Sequence, residues 1–206
     1  MIICVSDNAW FRLGISELVQ RYAKNDEELF FLTFEKVKDT PRDMALDMPV
    51  TVIVDYTVAD PASLLTLLQL KRQKACLTLL AVTSSERIQE ITENILLDSV
   101  ADCLIDSHEA REKMIDFLTK GSIGQVVSKS ITSRTWAMIK KNACLTHREI
   151  DLIPYIISGK GNKEISRQVE ISQKMVSIHR RNIYSKLQVG NLTGLYKYLT
   201  ASASSS

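Results

Sequence analysis

An aspartate at the end of an apolar segment is the first residue that could take part in chemistry. Three aliphatic residues precede Asp55 within the sequence VIVDYTVADP. In open α/β sheets, ligands and reacting groups lie just beyond the carboxyl ends of parallel strands. If Val50–Val54 forms such a strand, Asp55 is placed for chemistry. The segment alone leaves open whether the carboxylate still reacts.

A second set of residues suits contact with a polyanion. A helix is predicted from the Ser172 cap to Leu187 because apolar residues recur at helical spacing. At about 100° per residue, Val176, Ile183 and Leu187 fall on one side and face the core. The opposite side is small, polar and cationic with one aliphatic residue. This outer face, as we call it, carries Lys174, Ser177, Ile178, Arg181 and Ser185.

The outer face has the chemistry of a reader of the DNA major groove. Arginine bonds to guanine O6 and N7, and an aliphatic side chain contacts the methyl group of thymine. Lys163, His179 and Lys186 lie on the flanks. Side chains in such places contact phosphates and position a helix without reading sequence. The alternative interpretation is an ordinary solvated helix face.

Capping signals place this helix in a helix-turn-helix. Thr146 and Glu149 form a predicted capping box that opens a first helix. Asn162 is the predicted cap of a short second helix, which breaks before Ser172. A short helix, a turn and a longer helix are the helix-turn-helix arrangement.

Short apolar segments alternate with amphipathic ones through the first half of the chain. Five β/α units of this kind predict a doubly wound parallel sheet, and after Ala143 only helices are predicted. The fold class is therefore an α/β domain followed by an all-α domain. The predicted strands are Met1–Val5, Leu29–Thr33, Val50–Val54, Leu77–Val82 and Ala101–Ile105, and the predicted helices are Trp10–Arg21, Pro41–Leu46, Ala62–Gln73, Arg87–Leu97 and Ala110–Lys120.

Charge divides the chain at the same place. Residues 1–122 hold 13 Lys and Arg against 20 Asp and Glu, a net charge of −7, and residues 123–206 hold 13 against 4, a net charge of +9. We therefore expect only the second half to meet a polyanion. The expected organisation is a sheet domain over 1–122, a linker over 123–142, a helical domain over 143–200 and a disordered tail over 201–206.

Several function classes find no support in the sequence. No Gly-rich phosphate loop and no G-x-S-x-G motif occurs, so an enzyme is not expected. No apolar run reaches the roughly 20 residues that cross a membrane, and no leader precedes the first strand. We therefore expect a cytoplasmic protein without a membrane partner. Cys4, Cys76 and Cys103 are predicted core residues, and no cluster of cysteines and histidines predicts a metal site.

The helical half resembles the LuxR/FixJ-type helix-turn-helix domain. The matching segments are LTHRE (Leu145–Glu149), SGKGNKEIS (Ser158–Ser166) and IS..MVSIH..NIYSKLQV (Ile171–Val189). The resemblance implies a four-helix domain whose long helix enters the major groove, with Ser177, Ile178 and Arg181 as base-contacting residues. The sequence departs from the family pattern at Met175, where threonine is usual, and at Asn191, where arginine is usual.

The last predicted helix carries one apolar stripe. In domains of the resembled family the last helix pairs two subunits, so the stripe is a predicted dimerisation surface. The alternative is that it only closes the small helical bundle. The stripe consists of Leu192, Leu195, Tyr196 and Leu199.

Placed before this domain, the five β/α units look like the receiver domain of a NarL-like response regulator. The resemblance implies that Asp55 is the phosphoacceptor, that Thr83 is the hydroxyl residue and that Mg²⁺ binds beside them. The set is incomplete in this sequence. Asp7 is the only acid where the family has an acidic pair, and Asp106 stands where lysine is expected. An anion in place of that cation opposes the acyl phosphate.

Three interpretations of Asp55 follow. It is a remnant in a domain used for protein contact, a working phosphoacceptor that needs Mg²⁺, or, with Asp7 and Asp106, part of a small-ligand or metal site. The leading hypothesis is a sequence-specific transcription regulator that needs no phosphorylation and no cofactor. It would bind double-stranded DNA as a homodimer, or as a heterodimer with another family regulator, with RNA polymerase as a further candidate partner. The alternatives are a conventional regulator switched at Asp55 and an adaptor that touches no DNA.

Overall fold

A computed structural model of the chain describes residues 1–23, 27–38, 49–57, 61–73, 76–84, 91–120 and 144–204. A unit with a parallel β-sheet is followed along the chain by a unit of helices. Within these ranges, every helix is too short or too polar to cross a bilayer.

Five parallel strands form the sheet of the first unit, as the alternating pattern predicts. The strands are β1 (Ile2–Val5), β2 (Leu29–Leu32), β3 (Val50–Asp55), β4 (Leu77–Thr83) and β5 (Cys103–Asp106), and the helices are α1 (Ala9–Tyr22), α2 (Phe34–Lys38), α3 (Pro61–Gln73), α4 (Ile91–Val100) and α5 (Ala110–Lys120). The strand order is β2-β1-β3-β4-β5. The winding therefore changes direction between β1 and β3, which is the switch point of a doubly wound sheet.

The two strands at the switch point are buried, and their composition follows from this. All four residues of β1 and five of the six residues of β3 are buried. Strands covered on both faces read as nearly continuous aliphatic runs. The register pairs Val5 with Val54. The next residues, Ser6 and Asp55, therefore reach the same edge of the sheet.

The apolar side of α1 packs against the sheet as its spacing predicts. Ile15 and Val19 of α1 join Met114 and Leu118 of α5 in one buried cluster with strand residues. Phe11, Leu18 and Tyr22 are partly buried against this cluster. These contacts hold the loop after β1 above the sheet, where Ser6 lies.

The first unit departs from the sequence predictions at two places, the helix α2 and the residue Cys76. α2 begins at Phe34, because Thr33 Oγ1 accepts a hydrogen bond from the Lys36 amide (3.3 Å) and caps the helix. The predicted helix Pro41–Leu46 and the predicted linker 123–142 fall outside the described residues. The predicted helix Arg87–Leu97 corresponds to α4, which the structure describes from Ile91 onward. Cys76 is exposed in the turn before β4, so its prediction as a core residue is wrong, whereas Cys4 and Cys103 are buried.

Four helices are described within residues 144–204, and the starts of the first three lie at or beside the predicted caps. The capping box is confirmed, since the Glu149 amide donates to Thr146 Oγ1 (3.3 Å) and the Thr146 amide donates to Glu149 Oε2 (2.8 Å). The cap of the second helix is Gly161 instead of Asn162, and its amide donates to Glu164 Oε2 (2.9 Å). The helices are α6 (His147–Ile157), α7 (Asn162–Val169), α8 (Gln173–Lys186) and α9 (Leu192–Ser204).

Three of these helices end at a residue with positive φ. The angle is 75° at Gly159 after α6, 55° at Glu170 after α7 and 56° at Gln188 after α8. At the end of α8 the Gln188 amide donates to the Ser185 carbonyl (3.1 Å), and the following amide donates to the Tyr184 carbonyl (2.8 Å). This is a Schellman ending, which favours glycine. A residue with a side chain holds this conformation at a cost of about 1–2 kcal/mol.

The last helix is longer than the sequence predicts. α9 continues to Ser204, so the prediction of a disordered tail is wrong for residues 201–204. Two of those four residues are alanine, which has the highest helix propensity. Residues 205–206 lie outside the described residues.

Candidate nucleic-acid interface and receiver site

α8 presents one buried side and one solvent-facing side. Ser172 caps the helix, and its Oγ accepts a hydrogen bond from the Met175 amide (3.2 Å). Val176 and Ile183 are fully buried and Leu187 is nearly so, which confirms the predicted core side. A helix with one side fixed in this way has a defined opposite side.

The outer face of α8 is accessible along its whole length. Lys174, Ser177, Arg181 and Ser185 are exposed, and Ile178 is half-buried. Small residues beside two cations leave room for a close approach of a partner surface. The assignment of Ser177, Ile178 and Arg181 to base contacts stays a prediction. A residue must be accessible to contact a base, but accessibility does not by itself establish the contact.

The three flanking residues differ in their surroundings. Lys163 is exposed near the start of α7, and Ser166 Oγ donates to its carbonyl (2.9 Å). His179 is half-buried, and its buried Nδ1 has no hydrogen-bond partner among the described residues. Lys186 Nζ donates to Glu149 Oε2 (2.7 Å) and to the Cys144 carbonyl (3.1 Å). The ammonium group of Lys186 therefore ties the end of α8 to the start of α6, and its predicted phosphate contact stays a prediction.

The carboxylate that receives Lys186 is buried. The side chain of Glu149 is 2% exposed and that of Lys186 is 33% exposed. Burial alone would raise the pKa of Glu149, but hydrogen bonds from Lys186 and from Thr146 lower that pKa below its ordinary value of 4.5. Glu149 thus stays charged at neutral pH and links the helix cap to α8.

Two arginines position the helix-turn-helix through carbonyl oxygens. Arg148 of α6 donates to the Val169 carbonyl at the end of α7 (3.1 Å). Arg180 of α8 donates to the Lys160 carbonyl before α7 (2.8 Å). Sequence reasoning missed both roles, because an arginine on a helix has the same pattern whether it meets solvent, a phosphate or a distant carbonyl.

The apolar stripe of α9 is used inside this unit. Leu195 and Leu199 are buried, Leu192 and Tyr196 are half-buried, and the Tyr196 hydroxyl donates to the Ile157 carbonyl of α6. Two of the four residues are therefore unavailable for a second subunit. The stripe closes the bundle, and its assignment as a dimerisation surface is corrected for Leu195 and Leu199.

In the first unit, the carboxylate of Asp55 lies at the switch point, and both of its oxygens accept hydrogen bonds. Asp55 is 0% exposed. Its Oδ2 accepts a hydrogen bond from Ser6 Oγ (2.8 Å). Its Oδ1 accepts from the Thr57 amide (3.1 Å) and from the Thr57 hydroxyl. Ser6 and Thr57 are thus its direct partners, and sequence reasoning named neither as such.

The other predicted receiver residues point to separate partners. Asp7 is exposed, and its Oδ1 accepts from the Phe34 amide (3.4 Å) at the start of α2. Asp106 Oδ1 accepts from the His108 amide (2.9 Å) in the turn after β5. Thr83 is buried, and its hydroxyl has no hydrogen-bond partner in the described part of the chain. Asp7 thus lies in the loop after β1, whereas Asp55 is the last residue of β3 and Asp106 the last residue of β5.

The acidic residues of the first unit do not gather into one metal cluster. Magnesium needs oxygen ligands in near-octahedral geometry around one point. Among the described residues no group of three or more acidic, histidine or cysteine side chains is placed to hold a metal ion. The interpretation of Asp7, Asp55 and Asp106 as one three-carboxylate metal site is therefore wrong for the described residues, and the small-ligand interpretation stays a prediction.

The carboxylate of Asp55 affects the pKa of the neighbouring Cys4 thiol. Burial raises the pKa of Cys4 to about 12, and the carboxylate of Asp55 adds to this rise, with Arg12 acting against it. Cys4 therefore stays a protonated core residue. The dominant cause is burial, which agrees with the prediction of a packing role.

Three comparisons with known proteins bear on this geometry. Residues 143–199 match the family described as bacterial regulatory proteins, luxR family. The Fimbriae Z protein of Escherichia coli K12 is 28% identical over 132 residues, which cover 55% of this chain and 63% of that protein, less than two thirds of its length. The nitrate/nitrite response regulator protein homolog of Haemophilus influenzae is 26% identical over 198 residues, which cover 91% of this chain and 90% of that protein.

A solved structure shares the fold. The structure of the RcsB response regulator of Salmonella typhimurium has a TM-score of 0.50 and 18% identity, and the match covers 98% of this chain and 96% of that one. The chain therefore shares with that structure a doubly wound sheet unit followed by a helix-turn-helix unit. Residues 143–199 have the luxR-family match, and the chain as a whole is similar to a nitrate/nitrite response regulator.

Proposed function

We propose that the chain is a sequence-specific, DNA-binding transcription regulator whose α8 enters the major groove. The observation that carries this proposal is the outer face of α8, which stays exposed and cationic while the opposite side of the same helix is fully buried. The net charge of +9 over residues 123–206 supports it, because phosphate neutralisation supplies much of the affinity for DNA.

The proposal assigns a role to each accessible residue. Ser177, Ile178 and Arg181 contact base edges, since exposed side chains of such a helix reach the groove floor. Lys163 and Lys174, with His179, lie at the rim and contact phosphates. In this proposal a receiver-like domain over 1–122 is joined by a linker over 123–142 to a DNA-reading domain over 143–200. The protein is cytoplasmic, has no catalytic activity and cooperates with RNA polymerase.

The proposal includes a dimer, because a single reader of this size has limited affinity for one half-site. Homodimers and heterodimers with a related regulator both satisfy this need. Because Leu195 and Leu199 are buried inside the unit, Leu192 and Tyr196 are the residues of the predicted stripe that could still contact a second subunit.

The proposal also holds that the receiver-like unit works without phosphorylation. Asp55 is buried and both of its oxygens accept hydrogen bonds from Ser6 and Thr57. Asp106 brings an anion where a cation would be needed to neutralise a phosphoryl group. A phosphoryl group on Asp55 would have to displace the Ser6 hydroxyl.

Binding to DNA tests the first part of the proposal. The full-length chain is used to select duplexes from a random pool, and dissociation constants are measured at several salt concentrations. Arg181→Ala should weaken binding to the selected duplex by about 1–3 kcal/mol and relax the preference at one base pair. Lys163→Ala should weaken all duplexes alike and lower the salt slope by about 0.9.

The matched control is Arg21→Ala, which removes the same charge from α1 in the acidic unit. Arg21 is exposed and pairs with Glu17 there (2.5 Å), so binding to DNA should not change. Equal effects of Arg181→Ala and Arg21→Ala would refute the assignment of the outer face. A chain that selects no duplex and yet alters the DNA binding of a related regulator would support the adaptor instead.

Labelling tests the second part. Acetyl phosphate with Mg²⁺ should leave the wild-type chain unlabelled, and Asp55→Asn should leave its assembly and DNA affinity unchanged. A label that disappears in Asp55→Asn would favour the conventional, phosphorylation-controlled regulator.

A further inference from the structure

The outer face of α8 is divided into a cationic side and an apolar side. Lys174 and Arg181 lie two turns apart on one side. Met175 lies on the other, one turn before Ile178. At about 100° per residue, Met175 is offset from Ile178 by about 60° in one direction and Arg181 by about 60° in the other. Ile178 therefore lies between an apolar neighbour and a cationic one.

Met175 is exposed although it is a large apolar residue. Its relative exposure is 42%, and it is the one large hydrophobic side chain of the described helical unit that is so exposed. No part of the bundle core needs it, since the core side of α8 is filled by Val176, Ile183 and Leu187. The position of its backbone is fixed, because its amide donates to Ser172 Oγ (3.2 Å).

The first turn of α8 is also where base contacts are made in helix-turn-helix proteins. The amino-terminal residues of the second helix approach the base edges most closely. On the major-groove edges of the four base pairs, the methyl group of thymine is the apolar feature. A methionine side chain is flexible and polarisable, so it adapts to such a surface.

We propose that Met175, together with Ile178, forms a thymine-reading patch that makes the chain prefer a methyl-bearing base beside the base read by Arg181. This inference rests on the proposed function, since it requires α8 to enter the major groove. It adds Met175 as a residue that determines specificity and names the chemical group that it recognises.

The experiment removes single methyl groups from the DNA. The full-length chain is used to select its preferred duplex, and each thymine of that duplex is then replaced, one at a time, by deoxyuridine. Deoxyuridine pairs identically and lacks only the methyl group. Dissociation constants are compared for wild type, for Met175→Leu, which keeps an apolar side chain, and for Met175→Gln, which has nearly the same length and helix propensity.

We expect wild type to lose roughly four-fold in affinity at one or more thymines, as burial of one methyl-sized group implies. Met175→Leu should keep this penalty. Met175→Gln should bind thymine and uracil duplexes equally at that position, with an unchanged salt slope and an unchanged helical circular dichroism spectrum.

Two results would overturn the inference while leaving the proposed function intact. The first is a selected duplex that binds equally well whichever thymine is replaced, which would point to a protein partner for the apolar side. The second is a uracil penalty that persists in Met175→Gln and disappears only in Ile178→Ala. Failure to bind any duplex would instead refute the proposed function, and the inference with it.

Discussion

Replacing Lys186 by methionine separates a structural role of this residue from a DNA-binding one. Methionine keeps the apolar stem and removes the ammonium group that holds Glu149 and the Cys144 carbonyl. A hydrogen bond to a charged group contributes about 1.5–3 kcal/mol. Because one third of the Lys186 side chain is exposed, water screens the pair, and we expect a loss of about 1.5–2 kcal/mol in the stability of the helical unit.

The assay must report on the helical unit alone, since two units can unfold separately. Hydrogen exchange of the amides in α6 and α8, followed by mass spectrometry, measures the opening free energy of that unit. The matched control is Lys174→Met on the same helix. Lys174 is exposed on the outer face, so this change should leave exchange unaffected and lower the salt slope of DNA binding by about 0.9.

The pH dependence gives the same test a second readout. The pKa of Glu149 is lowered in the folded chain from its ordinary value of 4.5. Its contribution is therefore present above pH 4.5 and is lost as the pH falls through the lowered pKa. Without Lys186, its hydrogen bond and its positive charge no longer lower the pKa of Glu149, so this pKa rises and the loss begins at a higher pH. The difference between wild type and variant should be largest near neutral pH and should shrink in acid.

Two outcomes would refute this reasoning. One is an unchanged opening free energy in Lys186→Met together with a lower salt slope, which would restore the phosphate contact predicted from the sequence. The other is a stability difference that does not vary with pH between neutral and acid conditions, because the ion pair with Glu149 requires such a variation.

Three further predictions concern the helix ends and the receiver site. Gln188→Gly should stabilise the helical unit and Gly159→Ala should destabilise it, each by about 1 kcal/mol, because both positions have positive φ. Denaturant titrations should therefore show changes of opposite sign in the unfolding free energy, and changes of the same sign would contradict the reasoning. Ser6→Ala should lower the unfolding free energy of the sheet unit by about 1.5–3 kcal/mol, since the fully buried Asp55 loses a hydroxyl donor; no loss would mean that the hydrogen bond contributes little. Ser6→Asp combined with Asp106→Lys supplies an acidic partner and a cation, so acetyl phosphate with Mg²⁺ should then label Asp55. If the wild-type chain is labelled to the same extent, the proposed independence from phosphorylation is contradicted.

The sequence predicts those parts of the fold that depend on neighbouring residues. Capping at Thr146 and Ser172 is confirmed because a cap joins residues three positions apart. The five strands and the core side of α8 are confirmed because they follow a short period in hydrophobicity. The helix α2 was not predicted, because its five residues are too few to show a helical period in hydrophobicity.

The parts that were missed depend on residues far apart in the chain. Ser6 reaches Asp55 across 49 positions, and Lys186 reaches Glu149 across 37. A lysine on a helix flank has one pattern in the sequence, whether its partner is a phosphate or a buried carboxylate. Only the packing of α6 against α8 decides between them.

The hydrogen bonds around Asp55 have a consequence for how information reaches such a protein. A molecular switch needs two conformations separated by a few kcal/mol, so that an input can change their populations. Here the bonds from Ser6 and Thr57 all favour the described arrangement of Asp55, at about 1.5–3 kcal/mol for each bond to a charged group. Under the proposed independence from phosphorylation, such a regulator responds through mass action, to the amount of itself and of its partner present. Its input is then the rate at which the chain is made and removed.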